Sequence, residues 1–192
     1  MTDTEIDQGA VLDRARDAGL DAGPAAFDRI TTPASLGRDA FFASVIGSLA
    51  ASLEQTVGLE DASAFVTMVG NRLGEDLSIA YGHDIASAGT LAQGLAAALV
   101  DLKARIGGGF SVESIAENRI TFVNSSCPFA RQVEGRPSLC MMTTNVFGRI
   151  AADAAGYARV EINEAIALGH GRCRVTVDLD PLAAGNGFTF TR

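Results

Sequence analysis

The sequence lacks a basic stripe of the kind that binds nucleic acid. Its 192 residues carry 15 Lys and Arg side chains against 23 Asp and Glu, which gives a formal charge of −8 and a pI near 4.7. Nucleic-acid surfaces cluster their basic residues to neutralise phosphates, whereas the basic residues here are scattered along the chain. We therefore expect no nucleic-acid partner.

Long apolar runs are also missing from the sequence. No uninterrupted run approaches the roughly 18 to 20 residues that span a bilayer. The first residues, from Met1 to Asp7, are acidic where a secretory signal would be basic and then apolar. We expect a soluble, cytoplasmic protein without a membrane partner.

Cysteine is scarce, and its placement is uneven. Cys127, Cys140 and Cys173 all lie in the C-terminal third, and an odd number would leave one thiol unpaired in an oxidising compartment. The chain has no C-x-x-C knuckle, no Ser-His-Asp set and no phosphate-binding loop of the G-x-x-x-x-G-K type. We therefore favour free thiols over disulfides and assign no catalytic residues.

The first half of the chain shows helical periodicity. Residues 1–35 lack a substantial apolar face and are expected to form a mobile or loosely docked N-terminal segment. Apolar residues three and four apart predict a helix over 36–57, ended by Gly58, and a second helix to Tyr81. Gly70 and Gly74, one turn apart in that second helix, predict close approach of another backbone. A third helix is predicted over 90–105 and stops at three glycines.

The second half changes to the two-residue period of strands. It predicts a hairpin across the turn at Glu117 and Asn118, a helix over 139–155, and a second hairpin from strands 158–163 and 172–179. The fold class is α+β, with N-terminal helices packed on a small antiparallel sheet of two hairpins and one helix between them. We expect a single sensor-like domain over 36–180 and a C-terminal tail over 181–192, where Phe188 and Phe190 offer an edge strand.

Each cysteine lies at the start or end of a predicted element. Cys127 precedes Pro128 and belongs to an extended loop, while Cys140 opens a helix, where an ionised thiol is stabilised and a lowered pKa is expected. Cys173 shares the core-facing side of its strand, so the three sulfurs are predicted to converge inside. Metal binding and simple packing of small apolar thiols both remain open.

Two residues are candidates for a fourth metal ligand. His170 lies in a tight turn three residues before Cys173, and a neutral imidazole is a good zinc ligand. Glu164 would reach the buried face if the strand alternation continued past Ile162, whereas a bulge would turn it to solvent. An exposed turn histidine and a solvated glutamate are the competing interpretations.

Several segments carry a resemblance to a known family: Cys127-Pro-Phe129, Pro137-Ser-Leu-Cys140, Val160-Glu-Ile, Ala165-Ile-Ala-Leu-Gly169 and Cys173-Arg-Val. Roughly residues 38–180 resemble the methanogen output domain 1 family, a module of archaeal and bacterial signalling proteins. That domain is similar in layout to the 4-vinyl reductase domain and to the ligand-binding fold of haem-based nitric oxide sensors and of a vesicle-tethering subunit. The cysteine spacing also resembles the C-terminal region of the Suf repressor, an iron–sulfur sensor.

The resemblance implies a function, with two departures from the repressor pattern. By resemblance, Cys127, Cys140 and Cys173 match the cluster-binding cysteines of that sensor, but this chain has no preceding helix-turn-helix and no fourth cysteine. We hypothesise a sensory or regulatory domain that binds an iron–sulfur cluster, or alternatively zinc, through these three residues. We expect a signalling or regulatory protein partner, and a homodimer through the first two helices is compatible with the sequence.

Two hypotheses from other classes stay open. The first is a module that binds a small organic ligand without metal, in a pocket between helices and sheet that the cysteines only line. The second is an enzyme in which Cys140 is the nucleophile, activated by the helix N-terminus, with His170 as the nearby base.

Overall fold

A computed structural model describes residues 36–192; the predicted N-terminal segment, 1–35, lies outside the described residues. The longer elements follow in the order α1 (Arg38–Ala86), α2 (Leu91–Arg105), β1 (Phe110–Ile115), β2 (Arg119–Asn124), α3 (Cys140–Ala155), β3 (Tyr157–Glu164), β4 (Cys173–Asp178) and β5 (Phe188–Thr191). Short 3₁₀ turns lie at Ala130–Val133, Pro137–Leu139 and Ile166–Leu168. The α+β prediction is confirmed.

The five strands form one antiparallel sheet in the order β1-β2-β4-β3-β5. The two predicted hairpins, β1-β2 and β3-β4, are joined side by side through β2 and β4. Strand β5 pairs with β3, with Phe188 opposite Val160, and the Phe188 side chain is buried. The segment after residue 180 therefore contributes an edge strand to the sheet.

Helix α1 is broken at Gly58. This residue has φ 85° and ψ 167°, a left-handed and extended conformation that glycine adopts without a Cβ clash. The predicted end of the first helix at Gly58 is thus confirmed. The second half of α1 continues beyond the predicted end at Tyr81 to Ala86.

Two glycines on the second half of α1 bring it against α3. A Cβ atom added to Gly74 would lie 2.6 Å from Cβ of Arg149, and one added to Gly70 would lie 2.9 Å from Cβ of Asn145. Neither contact leaves room for a methyl group. The predicted close approach is confirmed, and its partner is the helix that carries Cys140.

The main core lies between the sheet and the helices α2 and α3. At its centre the Phe147 ring is fully buried and contacts the rings of Phe110 and Phe122 edge-on, at centroid distances of 5.6 and 5.4 Å. Edge-to-face contacts of this kind add to the stabilisation that burial provides. A second, smaller apolar cluster adjoins this core and contains two of the cysteines.

Helix α1 carries most of the exposed large apolar side chains in the described part of the chain. By length and composition alone it contains an 18-residue window that could cross a membrane, with a mean hydropathy of 1.3. Only 17% of that window is buried within the fold. Length and composition are weak evidence for a span, because core helices of soluble proteins pass the same test.

Candidate functional site

The three cysteines line one cavity, as the sequence predicts. Its volume is about 30 Å³, enough for an ion or a very small ligand. Cys127 comes from the loop after β2, Cys140 from the start of α3 and Cys173 from the start of β4. The remaining walls are mostly apolar: Phe110, Asn124, Pro128, Phe129, Val133, Leu139, Thr143, Ile162, Ala165 and Val175.

Backbone contacts hold the Cys127 loop against the end of α2. The Gly109 N–H donates to the Ser126 carbonyl at 3.0 Å, and a Cβ atom on Gly108 would lie 3.0 Å from Cγ of Pro128. The glycines that stop α2 therefore also allow the loop to approach. Ala130 has φ 48°, a left-handed conformation that costs a residue with a Cβ atom free energy.

The same loop region rests on the first half of α1. The Ser138 N–H donates to Oε1 of Glu54 at 3.1 Å, and Gly47 packs against the side chain of Gln132. The Arg136 side chain is 2% exposed and donates to the Gln132 carbonyl at 2.7 Å. Any movement of the loop between Cys127 and Cys140 will therefore act on α1.

The expected lowered pKa of Cys140 is wrong. Burial of the side chain raises the pKa of the Cys140 thiol, and the other two cysteines raise it further, more than Lys103 lowers it. The free-energy cost of removing the thiolate from water is larger here than the stabilisation that the helix N-terminus provides. The thiol is therefore neutral near pH 7, which is the opposite of what an activated nucleophile requires.

Cys127 and Cys173 are also protonated thiols near neutral pH, because burial raises both pKa values. Cys173 lies opposite Asn124 in the pairing of β4 with β2, and its sulfur accepts a hydrogen bond from the Ile166 N–H at 3.4 Å. The sheet register thus brings a cysteine and an asparagine together at the cavity wall.

Sequence reasoning missed Lys103, which is buried beside the cysteines. Its side chain is 3% exposed, and Nζ donates to Oγ1 of Thr143 at 2.8 Å. The ammonium also lies 5.4 and 5.2 Å from the ring centroids of Phe110 and Phe147, within the range of cation–π attraction. One signal in the sequence pointed to it, since Lys103 is the chain's only lysine and occupies a helix with an apolar face.

The positive charge of Lys103 is buried without a carboxylate counter-charge among residues 36–192. Burial lowers its pKa to about 8, while the three cysteines act in the opposite direction. Among residues 36–192, no carboxylate forms an ion pair with its ammonium. The ionisable groups that affect its pKa are the three thiols, so the site can accommodate about one negative charge.

Asn124 presents a free hydrogen-bond donor at the same cavity. The residue is 2% exposed, and its Oδ1 accepts a hydrogen bond from the Ser126 N–H at 2.9 Å. Its Nδ2 is buried without a hydrogen-bond partner in the described part of the chain. A buried donor left unpaired costs roughly 1–3 kcal/mol, so a ligand atom that accepts from Nδ2 would recover free energy.

The structure places both candidate fourth ligands outside the cavity lining. The register shift between Ile162 and Glu164 turns Glu164 toward Arg172, whose guanidinium donates to it at 2.8 and 3.1 Å. His170 is exposed, and its Nδ1 lies 3.0 Å from the Ala165 carbonyl. His170 is therefore engaged by backbone and does not line the cavity as a base for Cys140.

The cavity has the donor atoms of a metal site but not the geometry of one. Three sulfur donors and an adjacent cation suit a thiolate-bound soft metal ion. Yet no group of three or more His, Cys, Asp or Glu side chains within residues 36–192 is arranged to hold a metal ion. The site supplies suitable ligands, but not in a ready-made coordination geometry.

Comparison with solved structures finds a sensory domain of the same general fold. The phenol-responsive sensory domain of the transcription activator PoxR, in a crystal structure with phenol, is 14% identical with a TM-score of 0.55, over 71% of this chain and 73% of that chain. An H-NOX protein from S. oneidensis in the Fe(II)NO ligation state is 14% identical with a TM-score of 0.47, over 88% of both chains.

No curated protein matches the sequence. A family model does, over residues 45–178, which include all three cysteines, Lys103 and Asn124. This match spans more than half of the chain and agrees with the resemblance noted from the cysteine segments. The chain belongs to the methanogen output domain 1 family.

Proposed function

We propose that this chain is a sensory domain whose signal is the binding of a thiophilic metal ion or an iron–sulfur cluster by Cys127, Cys140 and Cys173. One observation carries the proposal: thiols from three separate segments line a single cavity beside the only lysine of the chain. Zinc and iron–sulfur clusters are the groups that cysteine sulfurs bind most characteristically.

The charge of Lys103 supports this class of ligand. A divalent ion, or a cluster core of charge +2, bound by three thiolates carries one net negative charge, and the buried ammonium carries one positive charge. Both charges are costly when buried alone and much less so together. Lys103 would therefore favour the loaded state over the empty one.

Asn124 supports the same class of ligand through a hydrogen-bond donor. Its Nδ2 is a buried donor without a partner, and a metal-bound sulfur carries enough negative charge to accept a hydrogen bond. Hydrogen bonds to sulfur are among the means by which proteins tune such sites. The cavity thus contains two groups that a thiolate complex would satisfy.

Loading requires the cavity to rearrange, because the cysteines are not arranged around a common ion. A single ion would draw the three thiols together, whereas a cluster is larger than the cavity and would push its walls apart. Cys127 lies outside any helix or strand, so its loop is the wall that moves at the lowest cost. The contacts from Ser138 to Glu54 and from Gln132 to Gly47 transmit that movement to α1. Ligand binding would thereby change the position of α1, which carries exposed apolar side chains.

The first experiment tests for the ligand directly. The protein is purified without oxygen, and zinc, iron and acid-labile sulfide are measured together with the visible absorption spectrum. Metal-free protein is then titrated with Co²⁺, whose thiolate complexes absorb in the near ultraviolet and visible. We expect bound metal or cluster in the purified protein, and a Co²⁺–thiolate spectrum that weakens in each single Cys→Ser variant.

Lys103→Met is the matched test of charge balance. It keeps all three sulfurs and a side chain of similar length, so a change in its metal affinity reports the loss of the positive charge alone. We expect weaker Co²⁺ binding than in the wild type, by about tenfold or more, since a few kcal/mol of pairing is lost. Protein free of zinc and iron that also fails to bind Co²⁺ would contradict the proposal.

A second candidate is a small organic ligand, favoured by the apolar walls and by the neutral thiols. The cavity of about 30 Å³ is smaller than the ~150 Å³ apolar cavity that holds benzene, so an aromatic ring enters only if the loop opens. Calorimetric titration with phenol, the compound in the PoxR crystal, separates the two candidates. Binding of phenol by metal-free protein, unchanged in the Cys→Ser variants, would support this second function.

A further inference from the structure

Helix α1 carries an apolar surface that nothing in the described part of the chain covers. Large apolar side chains along its outward side are between 37% and 69% exposed: Phe41, Phe42, Val45, Ile46 and Leu49 in the first half, and Phe65, Met68, Val69 and Leu73 in the second. We call these nine residues the α1 face. We propose that the α1 face is where two copies of this chain associate.

The distribution of side chains on the first half of α1 is the reverse of an ordinary surface helix. The buried positions Gly47, Ala50 and Ala51 are small, while Val45 and Leu49, on the opposite side, are large and exposed. A helix that met only water on that side would carry polar residues there. The pattern indicates a helix that is buried on both sides in its working state.

The size of the α1 face matches a specific protein interface. If a fully exposed large side chain presents about 150 Å², nine that are half exposed present roughly 700 Å². A standard interface buries about 800 Å² per partner. Exposed apolar area of this size along one element commonly marks an interaction site.

Charge favours a second copy over a lipid surface. Helices that lie on membranes carry Lys and Arg along their polar face, whereas the first half of α1 contains one basic residue, Arg38, against Asp39 and Glu54. The chain as a whole has a net charge of −8, so anionic lipid would repel it. An uncharged apolar stripe is self-complementary, as a two-fold symmetric interface requires.

The test compares two exposed leucines. Leu49, 60% exposed, belongs to the α1 face, and Leu182, 92% exposed, lies in the segment between β4 and β5. Mass is measured by sedimentation equilibrium over a wide range of concentration for the wild type, Leu49→Glu and Leu182→Glu. We expect a dimer for the wild type and Leu182→Glu, and a monomer for Leu49→Glu with an unchanged circular dichroism spectrum.

Three outcomes would overturn the proposal. A wild type that stays monomeric at every concentration would show that the α1 face does not join two copies of this chain. Equal loss of association in both variants shows a nonspecific effect of the added charge. Flotation with zwitterionic or anionic phospholipid vesicles is the third measurement, and wild-type protein that floats while Leu49→Glu does not would assign the face to lipid.

Discussion

The main core and the cysteine cavity are neighbours in the molecule, and they are built in opposite ways. Around Phe147 the side chains are large, apolar and almost completely buried, and aromatic rings meet at favourable angles. In the second region the cysteines are partly exposed and the walls leave a cavity, and a lysine and an asparagine are buried without full compensation. The first region stabilises the fold, whereas the second stores unfavourable interactions that a ligand can relieve.

Lys103 joins the two regions. Its ammonium sits over the rings of Phe110 and Phe147 from the core and affects the thiols of the cavity. Its burial lowers stability, because the charge is buried without a counter-charge among the described residues. Under the proposed function the same charge would favour the bound ligand, so stability and ligand binding would make opposite demands on one residue.

Removing the central ring of the core should have the largest effect. Phe147→Ala deletes a fully buried aromatic side chain and leaves a void next to two other rings, so we expect the free energy of unfolding to fall by about 3–5 kcal/mol. Urea denaturation of the metal-free wild type and variant measures this difference in the free energy of unfolding. A loss below about 1 kcal/mol would mean that this region is not the stable core.

Lys103→Met should instead stabilise the metal-free protein. Burial holds the pKa of Lys103 at about 8, against 10.5 for the exposed side chain, so burying its charge costs roughly 3 kcal/mol below pH 8. The variant avoids that cost and should be more stable than the wild type at pH 7 by up to this amount.

The stability difference between Lys103→Met and the wild type should depend on pH in a direction that the lowered pKa of Lys103 fixes. Between about pH 8 and 10.5 the unfolded wild type binds more protons at Lys103 than the folded state does, so the wild type's stability from this group rises with pH. The advantage of the variant should therefore shrink over that range and vanish above it. Contributions of the thiols, whose raised pKa values act in the opposite direction, are present in both proteins. A variant less stable than the wild type at pH 7 would show that Lys103 already has a counter-charge.

Two glycines of α1 provide a matched pair of smaller effects. Gly74→Ala places a methyl group 2.6 Å from Cβ of Arg149 and should destabilise the protein by about 1–3 kcal/mol. Gly82→Ala, where a Cβ atom meets nothing within 4 Å, should stabilise it by up to about 1 kcal/mol through helix propensity. Thermal unfolding should show a lower midpoint for Gly74→Ala and a higher one for Gly82→Ala than for the wild type. Equal shifts of the midpoint in the two variants would contradict the close packing of α1 on α3.

The smallest stability change should come from the cysteines in metal-free protein. A single Cys140→Ser replacement alters a half-buried thiol at the edge of a cavity, and we expect a change of about 1 kcal/mol or less. Alkylation by iodoacetamide should be slower for all three thiols in the folded protein than in denaturant, because burial raises their pKa values. Folded-state alkylation as fast as that of a free thiol would show that a cysteine is exposed or activated.

The hydrophobic periodicity of the sequence was sufficient to predict the helices and strands and their order. Steps of three and four along α1, the break at Gly58 and the alternation in the hairpins all reflect local backbone geometry, so they can be read from neighbouring residues. The convergence of Cys127, Cys140 and Cys173 also follows from local cues, namely a proline-fixed loop, a helix start and a strand face. Glu164 shows the limit, because a single register shift after Ile162 turned its side chain away from the core.

The sequence by itself determined the α+β class, the position of the cysteines at element boundaries and the need for a close contact at Gly70 and Gly74. The tertiary structure decided what surrounds the thiols. Burial overrode the helix N-terminus and raised the pKa of Cys140, and the packing of α2 on the sheet placed Lys103 beside residues more than twenty positions away. Desolvation depends on every neighbour in space, and no local pattern in the chain records it.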